Sequence, residues 1–290
     1  MNTEQSLAAT IKTHITLRDM SVDGHTIHFA QAGDGEALIL LHGINIGWGQ
    51  WHPNITELGK HAKIFAVDLP GCGRSSPLDF TKSDITQNFT IPLEHFIQKN
   101  HLRKVTLLGH SFGGAVALSI AIRKKININK LILVDPIGLT SYIPFKQRGL
   151  SYSPILWLLT HTVMKMTKEN MRLFLTGEMK NTKAIDDKLL NYYYDNINPP
   201  NAHPFFMLHS FMKSGKIKPE ITPTQHLHAI KTPTLVVYGK YDSSMQHPSV
   251  LSAIKNIPNV QIKTFSNSGH VPNLEEPKEF NKTIIQFLAR

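Results

Sequence analysis

Cysteine is almost absent from this chain of 290 residues: Cys72 stands alone, so an internal disulfide is excluded. A single thiol fits a reducing compartment, where disulfides are rare. Long apolar runs are missing too. Neither the first 14 residues nor any later stretch has the apolar length of a signal peptide or a membrane span. Together these absences predict a soluble, cytoplasmic protein without an integral membrane segment.

Motifs for metals, nucleotides and nucleic acids are also absent. The sequence has no H-E-x-x-H pattern, no Cys/His cluster and no G-x-G-x-x-G or Walker loop, so we expect neither a metal nor a cofactor. Lysine and arginine outnumber aspartate and glutamate by 31 to 21, but they are dispersed and do not alternate with aromatic residues. We therefore expect no nucleic-acid partner.

Short apolar runs alternate with helical patterns over two parts of the chain. One of the helices is predicted at Asp84–Lys99, where apolar residues recur at helical spacing. Such alternation indicates a mainly parallel sheet covered on both faces. It stops between residues 139 and 225, where helical and loop-like segments rich in aromatics and methionine follow. We interpret residues 1–138 and 226–290 as one core and residues 139–225 as an inserted helical cap.

The segment Val105–Ala117 has the pattern of a strand that reverses sharply into a helix. An apolar run of strand length ends at Gly109, and an apolar helical pattern resumes soon after Gly113. Ser111 lies between these glycines in the pattern G-x-S-x-G, in which a strained turn exposes the serine Oγ as a nucleophile. A serine in an ordinary turn is the alternative, but the strand before it and the helix after it favour the nucleophile.

With this motif the chain resembles the α/β-hydrolase superfamily, specifically its serine esterase and lipase-like members with an inserted cap. The resemblance extends over nearly the whole chain, from about Ile15 to Leu288. It implies an α/β fold with a mainly parallel eight-stranded sheet flanked by helices and a helical cap inserted after strand 6. It also implies an acid and a histidine that follow the serine, each in the loop after a late strand.

Two later loops supply candidates for the acid and the base. Asp242 follows a strand in the pattern G-x-x-D, and His270 follows the next strand in the pattern S-G-H. A serine hydroxyl needs a base to take its proton, and the base needs an acid to hold its tautomer. Ser111, Asp242 and His270 are therefore the predicted catalytic residues. Asp135, also at a strand end, is the rival for the acid; otherwise we expect it to bond turn amides before Pro136.

Attack on a carbonyl creates an oxyanion that needs two preorganised donors. The resemblance implies that one is the backbone N–H of Phe112, directly after the nucleophile. It implies that the other is the backbone N–H of Ile44, in the H-G-x pattern that begins at His42. We expect His42 itself to brace this loop and His110 to pack beside the serine.

Apolar residues of the cap and of the loops near the serine form the predicted substrate pocket: Leu139, Leu158, Phe205, Phe206, Met207, Phe211, Met212 and Val271. The main prediction is hydrolysis of a small apolar carboxylic ester with a short-to-medium acyl group, through an acyl-serine intermediate. The oligomeric state is left open.

Other functions of the same fold stay open. They are a C–C bond hydrolase, an acyl transferase, and a ligand-binding or receptor protein without turnover. Relatives that cleave carbon–carbon bonds usually carry tryptophan directly after the catalytic histidine, where this chain has Val271. This difference favours the ester over the carbon–carbon bond.

Overall fold

The computed structural model describes residues 2–44, 46–80, 84–143, 167–196, 207 and 210–290. Eight strands form its main sheet: β1 (Ile15–Val22), β2 (His25–Ala32), β3 (Ala37–Leu41), β4 (Lys63–Val67), β5 (Val105–His110), β6 (Ile128–Val134), β9 (Thr234–Gly239) and β10 (Val260–Phe265). Their order across the sheet is β1-β2-β4-β3-β5-β6-β9-β10. β2 is antiparallel to its neighbours β1 and β4, and every other pairing in this sheet is parallel. The predicted eight-stranded, mainly parallel sheet is confirmed.

Helices lie on both faces of this sheet. They are α1 (Thr3–Ala8), α2 (His52–Leu58), α3 (Ile91–Lys99), α4 (Phe112–Arg123), α5 (Lys168–Thr176), α6 (Asp187–Asn196), α7 (Pro248–Lys255), α8 (Pro272–Glu275) and α9 (Pro277–Leu288). No helix in the described part of the chain is long and apolar enough to cross a bilayer. The cytoplasmic location stays a prediction.

Because both faces are covered, the central strands are apolar throughout. In β3, Ile39 and Leu41 pack into a cluster with residues of α3, α4 and α7. Leu38 and Leu40 point to the other face and pack with residues of α1, α2, α6 and α9. The continuous apolar run of a strand such as β3 thus reflects two cores, one on each side of the sheet.

The segment predicted as a single helix at Asp84–Lys99 has two parts. A π-helical turn at Thr86–Thr90 leads into α3. Pro92 lies in the first turn of α3 and has no N–H to donate to the carbonyl four residues before it, so a continuous α-helical ladder is interrupted there.

The chain between β6 and β9 contributes two helices and a small hairpin to the described structure. The helices are α5 and α6, and the hairpin pairs β7 (Met212–Lys213) with β8 (Lys216–Ile217). The prediction of helical and loop-like segments missed this hairpin, because strands of two residues leave no periodic pattern. The domain boundaries after residues 138 and 225 stay a prediction. Leu158, Phe205 and Phe206 of the predicted pocket lie outside the described residues.

Candidate active site

Ser111 lies at the turn between β5 and α4, at the carboxyl edge of the sheet. Its φ of 51° and ψ of −113° are strained for a residue with a side chain. The turn can close because the flanking glycines have no Cβ. A Cβ on Gly109 would lie 2.3 Å from the Gly113 carbonyl oxygen, and one on Gly113 would lie 2.4 Å from the Leu41 carbonyl oxygen. The glycine spacing thus folds as the sequence predicts.

Two loops bring His270 and Asp242 to this serine. His270 follows β10, and its Nε2 lies 3.0 Å from Ser111 Oγ, across 159 residues of sequence. Asp242 follows β9, and its Oδ2 lies 2.7 Å from His270 Nδ1. In a neutral His270 whose Nδ1–H donates to the carboxylate, Nε2 is free to accept the serine hydroxyl proton. The three predicted residues therefore form one hydrogen-bonded line.

Burial and the ion pair act in opposite directions on the charges of this line. Burial would raise the pKa of Asp242, but attraction to His270 and hydrogen bonds from His270 and Ser244 outweigh it and lower this pKa. Burial would lower the pKa of His270, but the Asp242 carboxylate outweighs it and raises this pKa. Asp242 is anionic at neutral pH, and His270 is a stronger base than a free imidazole.

Asp135, directly after β6, is a second carboxyl group at this edge. Its Oδ1 accepts the Gly239 N–H at 3.1 Å, so the expectation that it bonds turn amides before Pro136 is wrong. The physical reason is position: β6 and β9 are neighbours, and the end of β9 presents its amide to Asp135. Burial, and then the charge and hydrogen bond of Asp242, raise the pKa of Asp135 well above its ordinary value.

The loop after β3 passes beside Ser111. A Cβ on Gly43 would lie 3.5 Å from Ser111 Cβ, and the next residue, Ile44, lines the cavity in front of the serine. Phe112 is the first residue of α4, where a backbone N–H has no acceptor within its own helix. Both predicted oxyanion donors thus lie on segments next to Ser111, and their roles stay predictions.

Two buried histidines hold the loops around the serine. His42 Nδ1–H donates to the Gly43 carbonyl at 2.6 Å and its Nε2 accepts the Leu69 N–H at 2.9 Å, which fits the expected bracing role. His110 Nε2–H donates to the His270 carbonyl at 2.8 Å. Burial lowers the pKa of His42 to about 4 and that of His110 to about 3, so both rings are neutral.

Ser111, Asp242 and His270 open onto a cavity of about 360 Å³. The core, α5 and the β7–β8 hairpin contribute its apolar lining, which includes Ile44, Leu173, Phe174, Ile185, Phe211 and Val271. Glu178 is a charged lining residue, and no lysine or arginine is among the described residues of the lining. Sequence reasoning missed Leu173, Phe174 and Ile185. The amphipathic pattern of α5 predicts an apolar face, but not that this face meets the cavity.

Two predicted pocket residues lie elsewhere. Leu139 and Met207 are 1% and 0% exposed and belong to the core cluster on the α4 side of the sheet, not to the cavity lining. Met207 contacts Cys72, with 3.9 Å between their sulfur atoms. Proximity in sequence to the sheet edge and to the insertion suggested the pocket, but it does not determine which face a side chain takes.

Among the described residues, one cluster has ligand-type atoms close enough to surround a cation. It consists of Asp135, Asp242 and His270, whose atoms of this kind lie within 4.8 Å of one another. However, the 2.7 Å between His270 Nδ1 and Asp242 Oδ2 is a hydrogen-bond length and leaves no room for an ion between the two atoms. The group is therefore an acid–base cluster that holds protons.

The chain is similar to known hydrolases. The chain is 27% identical over 273 residues to the 2-hydroxy-6-oxononadienedioate/2-hydroxy-6-oxononatrienedioate hydrolase of Burkholderia vietnamiensis (strain G4 / LMG 22486), with 91% of each chain covered. It is 27% identical over an alignment of 297 positions to the 2-hydroxy-6-oxo-6-phenylhexa-2,4-dienoate hydrolase of Burkholderia cepacia, with 99% of each chain covered.

A similar solved structure is the carboxylesterase CesB (YbfK) of Bacillus subtilis, which has a TM-score of 0.79 at 18% identity and covers 99% of this chain and 95% of its own. At that identity the likeness shows the fold alone. A family model described as alpha/beta hydrolase fold matches residues 36–277, which is most of the chain. The chain therefore belongs to the α/β-hydrolase fold family.

Proposed function

We propose that the chain is a serine hydrolase in which Ser111 is the nucleophile, His270 the general base and Asp242 the acid that orients the base. The observation that carries the proposal is the pair of hydrogen bonds along this line, 3.0 Å from Ser111 to His270 and 2.7 Å from His270 to Asp242. Both lengths suit proton transfer without a change of loop position.

In the proposed reaction, Ser111 Oγ attacks a carbonyl carbon while its proton passes to His270 Nε2. The N–H groups of Phe112 and Ile44 stabilise the oxyanion. When the intermediate collapses, the leaving group takes the proton from His270 and the acyl group stays on Ser111. Water then attacks this acyl group with His270 again as base, which releases a carboxylic acid and restores the serine.

The two curated relatives favour a ketone as the carbonyl that is attacked. Each is named for a 2-hydroxy-6-oxo acid, which contains a ketone and no ester, so its hydrolysis must break a carbon–carbon bond beside the ketone. The hydroxydiene first moves its hydroxyl proton to the carbon beside the ketone. Cleavage of this diketo form then releases an enolate, which spreads the negative charge and takes the proton from His270 to give the hydroxydiene acid. We infer that this chain hydrolyses a compound of the same class.

The cavity favours an apolar group on the ketone. Outside the catalytic residues and their neighbours, its described lining is mainly apolar; it includes Glu178 and has no lysine or arginine to pair with a carboxylate. A second carboxylate on the ketone side of the substrate, as in a dienedioate, would lose its hydration in the cavity without gaining an ion-pair partner. An aryl or alkyl substituent would instead be stabilised by burial.

A carboxylic ester with an apolar acyl group is the second candidate. The same apolar lining fits such an acyl group. Val271, at the position where carbon–carbon hydrolases usually carry tryptophan, also favours the ester.

A substrate panel tests these proposals. We expect the kcat/KM of purified protein to be highest for 2-hydroxy-6-oxo-6-phenylhexa-2,4-dienoate and at least about tenfold lower for 2-hydroxy-6-oxononadienedioate, because only the latter brings a second carboxylate to the apolar cavity. A higher kcat/KM for p-nitrophenyl esters than for either ketone would favour the ester hydrolase instead.

Ser111→Ala tests the nucleophile. We expect the variant to keep its circular dichroism spectrum and to lose turnover of every substrate together with labelling by a fluorophosphonate. Labelling that persists in this variant would contradict the assignment of Ser111. Tight ligand binding by the native protein without turnover would indicate a receptor-like member of the fold.

A further inference from the structure

Asp135 is a buried carboxyl group that the proposed reaction does not use. The residue is 0% exposed, and its φ of 41° is in the left-handed region. Its N–H donates to the Val237 carbonyl at 2.9 Å, and its Oδ1 accepts the Gly239 N–H at 3.1 Å. These bonds to β9 fix the carboxyl group beside the strand end that leads to Asp242.

The hydrogen bonds of the two carboxyl groups leave one oxygen without a donor. Asp242 Oδ1 accepts from the Ser244 amide and hydroxyl, and its Oδ2 accepts from His270. Asp135 Oδ2 is buried and receives no donor from the described residues. Carboxylate oxygens of Asp135 and Asp242 lie within 4.8 Å of one another. Two ionised carboxylates this close repel each other, whereas a proton on one replaces the repulsion with a hydrogen bond. The geometry therefore calls for a proton on Asp135.

The groups that face this pair do not offset a second negative charge. From β5, His110 is neutral, because burial lowers its pKa to about 3. From the segment after α5 and from α8, Glu178 and Glu275 add negative charge near His270. His270 itself is already paired with Asp242. Burial and the neighbouring Asp242 charge raise the pKa of Asp135 well above its ordinary value, in agreement with this arrangement.

We propose that Asp135 is a positioning residue that stays protonated and donates a hydrogen bond to Asp242, which limits how strongly Asp242 holds the proton of His270. The proposal rests on the proposed function, because it concerns the base strength of His270. Sharing the Asp242 charge with Asp135 keeps more of His270 in the neutral form that accepts the Ser111 proton.

The pH dependence of kcat/KM tests this role, because the acid limb of this pH profile follows the protonation of His270. In Asp135→Asn the amide still donates to Asp242, so we expect the limb to stay in place. In Asp135→Ala the donor is lost, Asp242 attracts the His270 proton more strongly, and the limb moves to higher pH by about half a unit or more. If Asp135 is ionised, Asp135→Asn removes a negative charge and the limb moves to lower pH. That shift, or an unmoved limb in a folded Asp135→Ala, would overturn the proposal.

An infrared difference spectrum tests the proton without any turnover. The native protein minus Asp135→Asn at neutral pH should show the carbonyl stretch of a protonated carboxylic acid; carboxylate bands instead would overturn the proposal even if Asp135→Ala does not fold. The exposed Asp34→Asn is the matched control and should show carboxylate bands and an unchanged acid limb. Turnover that survives in Ser111→Ala would refute the proposed function while leaving the infrared result as it is.

Discussion

At His270, the imidazole is held between a serine on one nitrogen and a carboxylate on the other. Asp242 fixes which nitrogen carries the proton, since the 2.7 Å bond from Nδ1 leaves Nε2 as the acceptor. The same carboxylate counteracts burial and raises the pKa of His270. The orientation and the base strength of His270 therefore both depend on Asp242.

The variant Asp242→Asn tests both the orientation and the base strength of His270. We expect kcat to fall by about 10³- to 10⁴-fold, because an amide neither enforces the tautomer nor stabilises the imidazolium. Since the carboxylate raises the pKa of His270, the acid limb of the remaining activity should move to lower pH. Stopped-flow or steady-state rates across pH measure both effects, with the exposed Asp34→Asn as control. A loss of less than about tenfold would mean that Asp135 supplies the acid.

Among the secondary-structure elements, those governed by local chemistry were predictable. The turn at Ser111 follows from its glycine spacing. Asp242 and His270 each follow a parallel strand, and parallel strands end at one edge of the sheet, so their convergence on Ser111 could be predicted across 159 residues. The helix at Asp84–Lys99 was placed correctly, but its π-helical turn depends on Pro92 and on packing that periodicity does not record.

The contact between the loops after β9 and β10 depends on Gly239. A Cβ there would lie 1.9 Å from the Gly269 carbonyl and 2.5 Å from that of Ser268, and both are backbone atoms that cannot turn aside. Gly239→Ala should therefore push the His270 loop away from Asp242. We expect about 1–3 kcal/mol lower stability by urea unfolding and about a hundredfold lower kcat/KM.

Gly24→Ala is the matched control for this change. Gly24 lies in the β1–β2 turn with a φ of 80°, and a Cβ there would have no atom within 4 Å. An alanine at this position is strained but meets no loop of the site, so we expect about 1 kcal/mol lower stability with unchanged kcat/KM. Equal kcat/KM in Gly239→Ala and the native protein would contradict the proposed loop contact.

Over the whole molecule, the cavity was the part that sequence could not predict. Phe211, just before the hairpin, was predicted to line the pocket. Ile44 of the core and Leu173 of α5 join it there only through tertiary packing, which the sequence does not record. The prediction that Leu139 and Met207 line the pocket was wrong for this reason, since both side chains pack in the core on the α4 side of the sheet. Val271 does line the cavity, because it follows His270 directly.

A buried polar network also joins distant parts of the chain. Glu4 of α1 accepts hydrogen bonds from His28 at 2.9 Å and from the Trp48 indole at 2.8 Å, and it pairs with Arg74 at 2.8 Å. The backbone N–H of Trp48 donates to Asp68 Oδ1 at 2.6 Å. The network thus connects α1 and β2 to the loop after β3, which passes Ser111.

The charge on His28 should make this network depend on pH. Burial would lower the pKa of His28, but Glu4 and the other acidic neighbours raise it to about 9 from 6.5. Its stabilisation is therefore complete below about pH 6.5 and is lost as pH rises through about 9. We expect His28→Gln to lower the free energy of unfolding by up to about 3 kcal/mol near pH 6 and by much less above about pH 9.5. Urea unfolding at both values measures this difference, with the exposed His25→Gln as control, and a loss independent of pH would contradict a protonated His28.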